Sequence, residues 1–597
     1  MPVYKAPVDE VMFILNDVLE IQRYNNLPGF ADVTPDTVEA ILSEAGKFVE
    51  EVVQPLNVVG DREGCTRHPD NSVTTPTGFK AAFDQFREAG WTALSAPEQY
   101  GGQGLPNVVA LAVREFIDGS NQAWSMYSGL TQGAVAALLE HASDEQKNTY
   151  VPKMVAGEWC GTMNLTEPHC GTDLGQLKTK AVRQADGSFK ITGTKIFISA
   201  GEHDMAANII HLVLARIEGA PAGTKGISLF IVPKFMVKAD GSAGDRNGVA
   251  CGSIEHKMGI HGNSTCVMNF DDATGFLVGE ENRGLNAMFV MMNEARLAVG
   301  VQGLAQSEVS YQNAVVYAKE RLQGRSLTGA KNPTGPADPI IVHPDVRRTL
   351  LGIKAFNEAA RTLALWAALQ ADIHHRSDDA KAKQAADDYM GLMTPVIKGV
   401  FTDMGFDNAV KAQQMFGGHG YIEEHGMSQF VRDARINMIY EGANGIQAMD
   451  LVGRKLGKDG GRAVMAFFAE VGGFIAENEN DAMKPFVTPL KASLGHLQQA
   501  TMWFMQNALT KPDNAGAGAM DYMHMFGLVS LGYMWARQVK SAQAKLAAGA
   551  NGQTERMNTK LVTARFFAER MLPETGAQLA RITAGSDAVM ALPAEAF

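Results

Sequence analysis

The sequence predicts an α+β protein with four successive parts: an N-terminal helical domain, a middle antiparallel β domain, a C-terminal four-helix bundle and an extra C-terminal helical domain. Three observations support this order. Apolar residues recur three and four positions apart in the outer regions, as in amphipathic helices. Short β-branched and aromatic runs separated by Gly, Asn and Asp occupy the middle. The length of 597 residues exceeds that of one ordinary domain.

The predicted domain boundaries follow changes in the sequence pattern. Residues 1–36 form an N-terminal extension, and residues 37–158 form the first helical domain, with stretches such as TVEAILSEAGKFVEEVV. Residues 159–278 form the β domain, in which FKITGTKIFISA and GISLFIVP are typical strands. The helical period returns over residues 279–460, which suits a four-helix bundle. The glycine-rich GRKLGKDGGRA precedes a C-terminal helical extension, residues 465–597.

Composition argues against several classes of function. The formal net charge of -12 repels polyphosphate backbones, so nucleic-acid binding is not expected. The five cysteines form no C-x-x-C pair, so neither a disulfide framework nor a zinc knuckle is indicated. No apolar run approaches the roughly 18 residues of a membrane span, and the N-terminus does not resemble a signal peptide. We therefore expect a cytoplasmic protein without a membrane span.

Three segments far apart in the chain contain the most informative residues. The first is MNLTEPHCGTDLGQLKTKA, the second pairs GTKIFIS with NEARLAVG, and the third joins QMFGGHGY to VRDARINMIYEGANGIQ. The order α, β, α and the absence of G-x-G-x-x-G disfavour a nicotinamide-binding Rossmann fold. In content and order, the three segments resemble the acyl-CoA dehydrogenase family over residues 37–457.

This resemblance implies an enzyme that binds FAD and oxidises an acyl-CoA to the trans-2,3-enoyl-CoA. It also implies an electron-transfer flavoprotein as acceptor and a homo-oligomer, for which we expect a dimer. The N-terminal segment and the long C-terminal extension further resemble the subgroup that includes the bacterial 3-methylmercaptopropionyl-CoA dehydrogenases. The expected substrate is then 3-(methylthio)propanoyl-CoA, and the expected reaction is the dehydrogenation step of dimethylsulfoniopropionate demethylation.

The sequence leaves three alternatives open. The same subgroup contains medium- and long-chain fatty acyl-CoA dehydrogenases of β-oxidation, and a thioether differs little from a methylene in size and apolarity. An acyl-CoA oxidase would use the same base and has a long C-terminal region, but it lets oxygen reach the reduced flavin. A non-catalytic flavoprotein is the third alternative, although the acidic charge argues against DNA association and the retained Glu441 against lost catalysis.

Glu441, in the segment IYEGANGIQ, is the predicted catalytic base. Removing a proton next to a thioester carbonyl requires a base in a dry pocket and hydrogen-bond donors on the carbonyl oxygen. By the resemblance, Glu441 takes the proton and its backbone N–H binds the thioester oxygen. Tyr440, Gly442 and Arg296 then contact the substrate. A simpler interpretation is that Glu441 only favours the N-terminal dipole of the helix that starts near Asn444.

A first group of predicted FAD-binding residues comes from the segments LTEP, CGTD and KIFIS. These segments combine hydroxyls, backbone N–H groups, a glycine turn and an aromatic ring, a set that suits a flavin ring and a pyrophosphate. By the resemblance, the aromatic residue packs beside the flavin, where tryptophan is common in the family. The members of this group are Leu165, Thr166, Gly171, Thr172, Phe197 and Ser199.

A second group is implied to contact the FAD of a neighbouring subunit. Its members are Arg321, Gln414, Gly417 and Gly418. Two departures from the family pattern bear on FAD binding. The segment ERLQGRS lacks the usual phenylalanine, which weakens the expected dinucleotide contact after Arg321, and Ala443 replaces a common threonine, which removes a hydrogen bond to the flavin or its ADP portion. The histidines of this region lack acidic or cysteine ligands at a fixed helical spacing, so the sequence predicts no metal site there.

Overall fold

The computed structural model describes residues 2–597, which fall into two compact units. The mixed unit comprises Phe48–Leu105 and Ser120–Ala298, and it contains helices and all of the strands. The helical unit comprises residues 2–47, Pro106–Gly119 and Val299–Phe597. The predicted α+β class is confirmed, because helices precede and follow a central β region.

The mixed unit is built on a seven-stranded sheet, whose strands we label β1 to β7. In chain order they are Trp159–Asn164, Lys180–Arg183, Phe189–Ser199, Asn208–Ile217, Ile227–Pro233, Val249–Ile254 and Thr265–Val278. The strand order is β6, β7, β3, β2, β4, β1, and β5 pairs with both β7 and β4. Through β5, the strands β7, β3, β2, β4 and β5 close into a five-membered ring.

The sheet is mixed, whereas the sequence predicted an antiparallel β domain. Strand β4 runs parallel to β1 and to β2, and the remaining pairs are antiparallel. Two parallel neighbouring strands need a long connection between them. Between β1 and β4, the strands and loops that lie between them in the chain form this connection. All residues of β5, and nearly all of β4, are buried, as expected for strands covered on both faces.

Helices and short hairpins complete the mixed unit. A capping box starts one helix, because the Ser143 hydroxyl accepts from Gln146 N at 3.2 Å and the Gln146 side chain accepts from Ser143 N at 3.1 Å. The α-helices are Pro55–Glu63, Phe79–Glu88, Gln122–His141 and Asp144–Val155. The hairpin strands are Thr66–Arg67 with Val73–Thr74, and Phe235–Val237 with Ala243–Arg246.

The helical unit contains helices from most of the range predicted for the bundle and from the C-terminal extension. Helix Gly284–Glu320 continues into it from the mixed unit. The other bundle helices are Pro344–Arg376, Ala380–Met415, Met427–Arg435 and Asn444–Asp450. Three helices, Val8–Phe13, Pro35–Phe48 and Asn107–Ser120, come from earlier in the chain. The extension adds Arg462–Glu477, Lys484–Asn507, Asp513–Ala547, Thr554–Arg570, Glu574–Thr583 and Asp587–Met590.

The longest helix of the extension, Asp513–Ala547, packs on the bundle through buried polar contacts. The indole N–H of Trp535 donates to the backbone carbonyl of Ala355 at 2.9 Å. The amide of Gln538 donates to the Thr362 hydroxyl at 3.0 Å. These bonds satisfy polar groups that burial would otherwise penalise, so they fix the position of the extension on the bundle.

The described residues include no helix with both the length and the apolarity needed to cross a membrane. Four of the five cysteines are buried, and all five are free thiols.

Candidate active site

The predicted base lies in a turn with an unusual backbone conformation. Glu441 and Gly442 occupy the short non-helical stretch before helix Asn444–Asp450, and their φ angles are +56° and +90°. A side-chain-bearing residue in this left-handed region costs about 1–3 kcal/mol and persists only when its surroundings enforce it. Some other part of the structure must therefore hold Glu441 in place.

Two fully buried side chains hold the turn through its backbone carbonyls. Gln447 Nε2 donates to the carbonyl oxygens of Glu441 at 3.1 Å and Gly442 at 3.2 Å. Lys398 Nζ donates to the Gly442 carbonyl at 2.8 Å and to Asn444 Oδ1 at 2.7 Å. Sequence reasoning missed both residues. The available signal for Lys398 was a lone cation in the apolar stretch MTPVIKGVF.

The structure brings Tyr440 to the same turn. Its hydroxyl lies within hydrogen-bond distance of the Gln302 side-chain oxygen and at 3.0 Å from Asn437 Oδ1. These two partners fix the orientation of the phenol ring. Arg296 is half-buried on the part of helix Gly284–Glu320 that belongs to the mixed unit.

In the mixed unit, the LTEP loop lies against strand β3. The carbonyl of Thr166 accepts a hydrogen bond from Ile196 N at 2.9 Å, and a Cβ on Gly171 would lie 3.4 Å from Thr166 Cγ2. Phe197 sits where the register between β3 and β7 shifts, its φ is +59°, and it is 60% exposed. An exposed phenylalanine held in a strained conformation is a candidate for contact with a flat ligand.

Several polar groups around Phe197 lack partners within the described residues. The hydroxyls of Thr166, Thr172 and Ser199 make no hydrogen bond to any residue that the structure describes. Asn164 Oδ1 and Thr265 Oγ1 are buried and also without a partner. Thr265 faces Ser199 across β7 and β3, and Asn164 precedes the LTEP loop. Buried polar atoms of this kind indicate a missing ligand or water.

A buried ion pair fixes the LTEP loop. Lys195 Nζ donates to Glu167 Oε1 and to the Leu165 carbonyl, both at 2.9 Å. Glu167 also accepts from Thr179 Oγ1 at 2.6 Å and from Lys178 N at 2.7 Å. Burial alone would raise the pKa of Glu167, but Lys195 and these donors lower it, while burial lowers the pKa of Lys195. Sequence reasoning missed this pair, although both residues lie in the quoted motifs.

We expect Lys195→Met to weaken FAD binding by about tenfold, because a lost hydrogen bond to a charged group costs about 1.5–3 kcal/mol and frees the loop. Absorbance titration of the apoprotein with FAD measures this affinity. Lys190→Met on the same strand is the control, since the Lys190 ammonium donates to the Thr274 hydroxyl of strand β7, at 3.0 Å. Equal FAD affinity in the two variants would contradict a role for Lys195 in holding the loop.

The same loop contains a group of potential metal ligands. The ligand atoms of Glu167, His169 and Cys170 lie within 4.8 Å of one another. Burial, and then the nearby Glu167 carboxylate, raise the pKa of the Cys170 thiol, which disfavours the thiolate that a metal requires. Both Glu167 oxygens already accept hydrogen bonds. The geometry therefore favours a structural role for the loop.

The second predicted group of cofactor residues lies at one end of the bundle. Tyr317 stacks on Phe416 with ring centroids 4.2 Å apart, and its hydroxyl is 2.9 Å from His419 Nδ1. This contact joins helix Gly284–Glu320 to the GGHG turn. All four predicted residues are exposed, namely Arg321, Gln414, Gly417 and Gly418.

The GGHG turn also leaves open space beside its backbone. A Cβ at Gly417 or Gly418 would meet nothing within 4 Å, and Gly417 has a φ of +57°. The turn can therefore approach another molecule closely.

Comparison with known proteins identifies the family. The sequence matches family models for the N-terminal domain, the middle domain and the C-terminal domain of acyl-CoA dehydrogenases, at residues 35–158, 162–273 and 282–456. Residues 467–593 match the model described as acetyl-CoA dehydrogenase C-terminal like. The chain therefore belongs to the acyl-CoA dehydrogenase family, and it is an FAD-dependent oxidoreductase that acts on a CH–CH bond.

Several relatives match nearly end to end, including the following two. The 3-methylmercaptopropionyl-CoA dehydrogenase of Ruegeria pomeroyi is 40% identical over 98% of this chain and 99% of its own length. The broad-specificity linear acyl-CoA dehydrogenase FadE5 of Mycobacterium tuberculosis is 36% identical over 96% of each chain.

Solved structures share the fold. Caenorhabditis elegans ACDH-11, in complex with C11-CoA, aligns with a TM-score of 0.77 at 18% identity, covering 96% of this chain and 92% of its own. An acyl-CoA dehydrogenase of Bacillus anthracis complexed with FAD aligns with a TM-score of 0.74 at 19% identity, covering 96% and 91%.

The residues of the mixed unit fit the FAD that this family uses. An isoalloxazine ring needs an apolar surface and hydrogen-bond donors at its polar edge. The exposed Phe197 could supply the first, and the free hydroxyls of Thr166 and Ser199 could supply the second. The ion pair of Glu167 with Lys195 keeps the loop in register with β3.

Proposed function

We propose that this enzyme oxidises 3-(methylthio)propanoyl-CoA to 3-(methylthio)acryloyl-CoA, the dehydrogenation step of dimethylsulfoniopropionate demethylation. The supporting observation is the end-to-end similarity to 3-methylmercaptopropionyl-CoA dehydrogenase, at 40% identity over 98% of the chain. The second candidate substrate class is a medium- or long-chain fatty acyl-CoA. The similarity to a broad-specificity linear acyl-CoA dehydrogenase, at 36% identity, favours that class.

In the proposed reaction, the Glu441 carboxylate takes the proton from the α carbon. The backbone N–H of Glu441 binds the thioester oxygen, where negative charge develops as the proton leaves. Tyr440 and Gly442 line the acyl pocket, and Arg296 binds the acyl-CoA. Bound FAD supplies the acceptor for the hydride of the β carbon. The hydrogen bonds from Lys398 to the turn keep the base oriented while the proton moves.

We further propose which residues bind FAD, how the subunits assemble and which protein accepts the electrons. The residues around Phe197 bind the flavin of their own subunit: Leu165, Thr166, Gly171, Thr172 and Ser199. The exposed end of the bundle binds the FAD of a partner subunit through Arg321, Gln414, Gly417 and Gly418. The enzyme is then a cytoplasmic homodimer that passes electrons to an electron-transfer flavoprotein. Sedimentation showing four subunits, or no flavin reoxidation by that acceptor, would contradict this part.

A matched pair of thioesters tests the substrate. Pentanoyl-CoA replaces the sulfur of 3-(methylthio)propanoyl-CoA with a methylene, and octanoyl-CoA represents the fatty acids. In anaerobic titrations and steady-state assays, we expect kcat/KM for the sulfur substrate to be close to that for pentanoyl-CoA, because a thioether and a methylene differ little in size and apolarity. We expect it to exceed that for octanoyl-CoA by about tenfold or more, because the pocket would have to accommodate a longer acyl chain. A preference for octanoyl-CoA would move the enzyme to fatty-acid oxidation. Rapid peroxide release in air would identify an oxidase.

A further inference from the structure

A polar network connects the C-terminal extension to the turn that carries Glu441. His524, on helix Asp513–Ala547, places its Nε2 2.8 Å from Asp403 Oδ2. Asp403 Oδ1 in turn accepts a hydrogen bond of 2.6 Å from the Asn444 amide. Both carboxylate oxygens of Asp403 are thus occupied, so its orientation is defined from two sides. The histidine and the aspartate are largely buried, with side-chain exposures of 27% and 16%.

Close packing of two helices brings His524 to this position. A Cβ on Gly399 of helix Ala380–Met415 would lie 2.4 Å from Met523 Sδ. Conversely, a Cβ on Gly527 would lie 2.7 Å from Val400 Cγ2. Each helix therefore carries a glycine where the other presses against it. This close approach places the histidine of one helix beside the aspartate of the other.

Asn444 connects the contact between His524 and Asp403 to the turn of Glu441 and Gly442. Its amide also donates to Thr402 Oγ1 at 2.9 Å and to the Gly399 carbonyl at 3.2 Å, and its Oδ1 accepts from Lys398. Lys398 then donates to the carbonyl of Gly442, the residue after Glu441. A continuous series of hydrogen bonds therefore runs from the extension to the peptide next to the base.

We propose that His524 is a positioning residue for α-proton removal, through which the C-terminal extension completes the active site. This inference rests on the proposed function of Glu441 as the base. Without the histidine, the Asp403 carboxylate loses one of its two anchors and can turn toward water. Asn444 then loses the orientation in which it accepts from Lys398, and the left-handed Glu441 peptide loses its support. A misplacement of about 1 Å at a reacting group can slow catalysis by about 10²-fold.

His524→Ala tests the proposal in the FAD-loaded, full-length enzyme. We expect the limiting rate of anaerobic flavin reduction by acyl-CoA to fall about tenfold, with the KM and the FAD content unchanged. His524→Gln should restore most of the rate, since its amide nitrogen is as many bonds from the backbone as Nε2 and can donate to Asp403. The matched control is His496→Ala, because His496 belongs to the extension and its Nδ1 lies 3.0 Å from Thr575 Oγ1, which also belongs to the extension.

The outcomes separate this inference from the proposed base. If His524→Ala and His496→Ala reduce flavin at the wild-type rate while Glu441→Gln does not, the positioning role is wrong and the base stands. If Glu441→Gln is fully active, the proposed function itself fails. A third outcome would show that His524 has a structural role only. In it, His524→Ala loses rate, FAD content and melting temperature together, and His524→Gln does not restore the rate. Should His524→Ala not fold, Asp403→Asn, which keeps the shape, is expected to show the same slow reduction.

Discussion

Glu441→Gln is expected to lower the rate of flavin reduction by acyl-CoA about 10⁴-fold, the upper range for a general base, while FAD remains bound. Glutamine has the shape of glutamate, so it can occupy the same position on the turn, where the φ angle is +56°. It cannot take a proton from the α carbon. Anaerobic stopped-flow absorbance of the flavin band measures the rate directly, and the visible spectrum measures the bound FAD.

Two further variants define what this result means. Glu441→Asp keeps the carboxylate but shortens its reach, so we expect an intermediate loss of about 10²-fold. Glu424→Gln removes an exposed acid of the preceding segment and should leave the rate unchanged. If Glu441 only balanced the dipole of helix Asn444–Asp450, its replacement would cost about 0.3–1 kcal/mol of stability and leave the rate intact. An active Glu441→Gln enzyme would therefore establish that simpler interpretation.

The sequence was sufficient for the fold class, the family and the cofactor, because each depends on local patterns. Apolar periodicity marks the helices and the strands, and short motifs such as LTEP and YEG are readable one at a time. The parallel neighbours of Asn208–Ile217 were not predicted, because strand direction depends on the connections between distant strands. The predicted roles of the individual site residues stay predictions.

The residues that hold the site were missed for a related physical reason. Lys195 pairs with Glu167 across 28 positions, Lys398 meets Gly442 across 44, and His524 meets Asp403 across 121. The hydrophobic periodicity of the sequence does not indicate contacts between residues so far apart. A buried lysine is costly unless it is paired, so a lysine within an apolar run is the one local signal that such a partner exists.

Lys398→Met is expected to reduce the rate of flavin reduction by about 10²-fold or more, without loss of the Glu441 carboxylate. Methionine fills the space of the lysine stem but leaves the Gly442 carbonyl and Asn444 Oδ1 without their charged donor. Each lost hydrogen bond of this kind costs about 1.5–3 kcal/mol. The strained peptide can then relax away from the left-handed conformation, although the hydrogen bond from Gln447 to the Glu441 carbonyl remains.

The control for Lys398→Met is Lys411→Met on the same helix, whose ammonium pairs with Asp407 at the surface and should contribute little. Flavin reduction, FAD content and thermal unfolding are measured for both variants. A folded Lys398→Met enzyme with the wild-type rate would show that Glu441 holds its conformation without the lysine, and the role of His524 would fall with it, since its effect reaches the turn through the same ammonium group. A slow enzyme with normal FAD content would instead place the support of the base in the bundle interior, where the C-terminal extension can act on it.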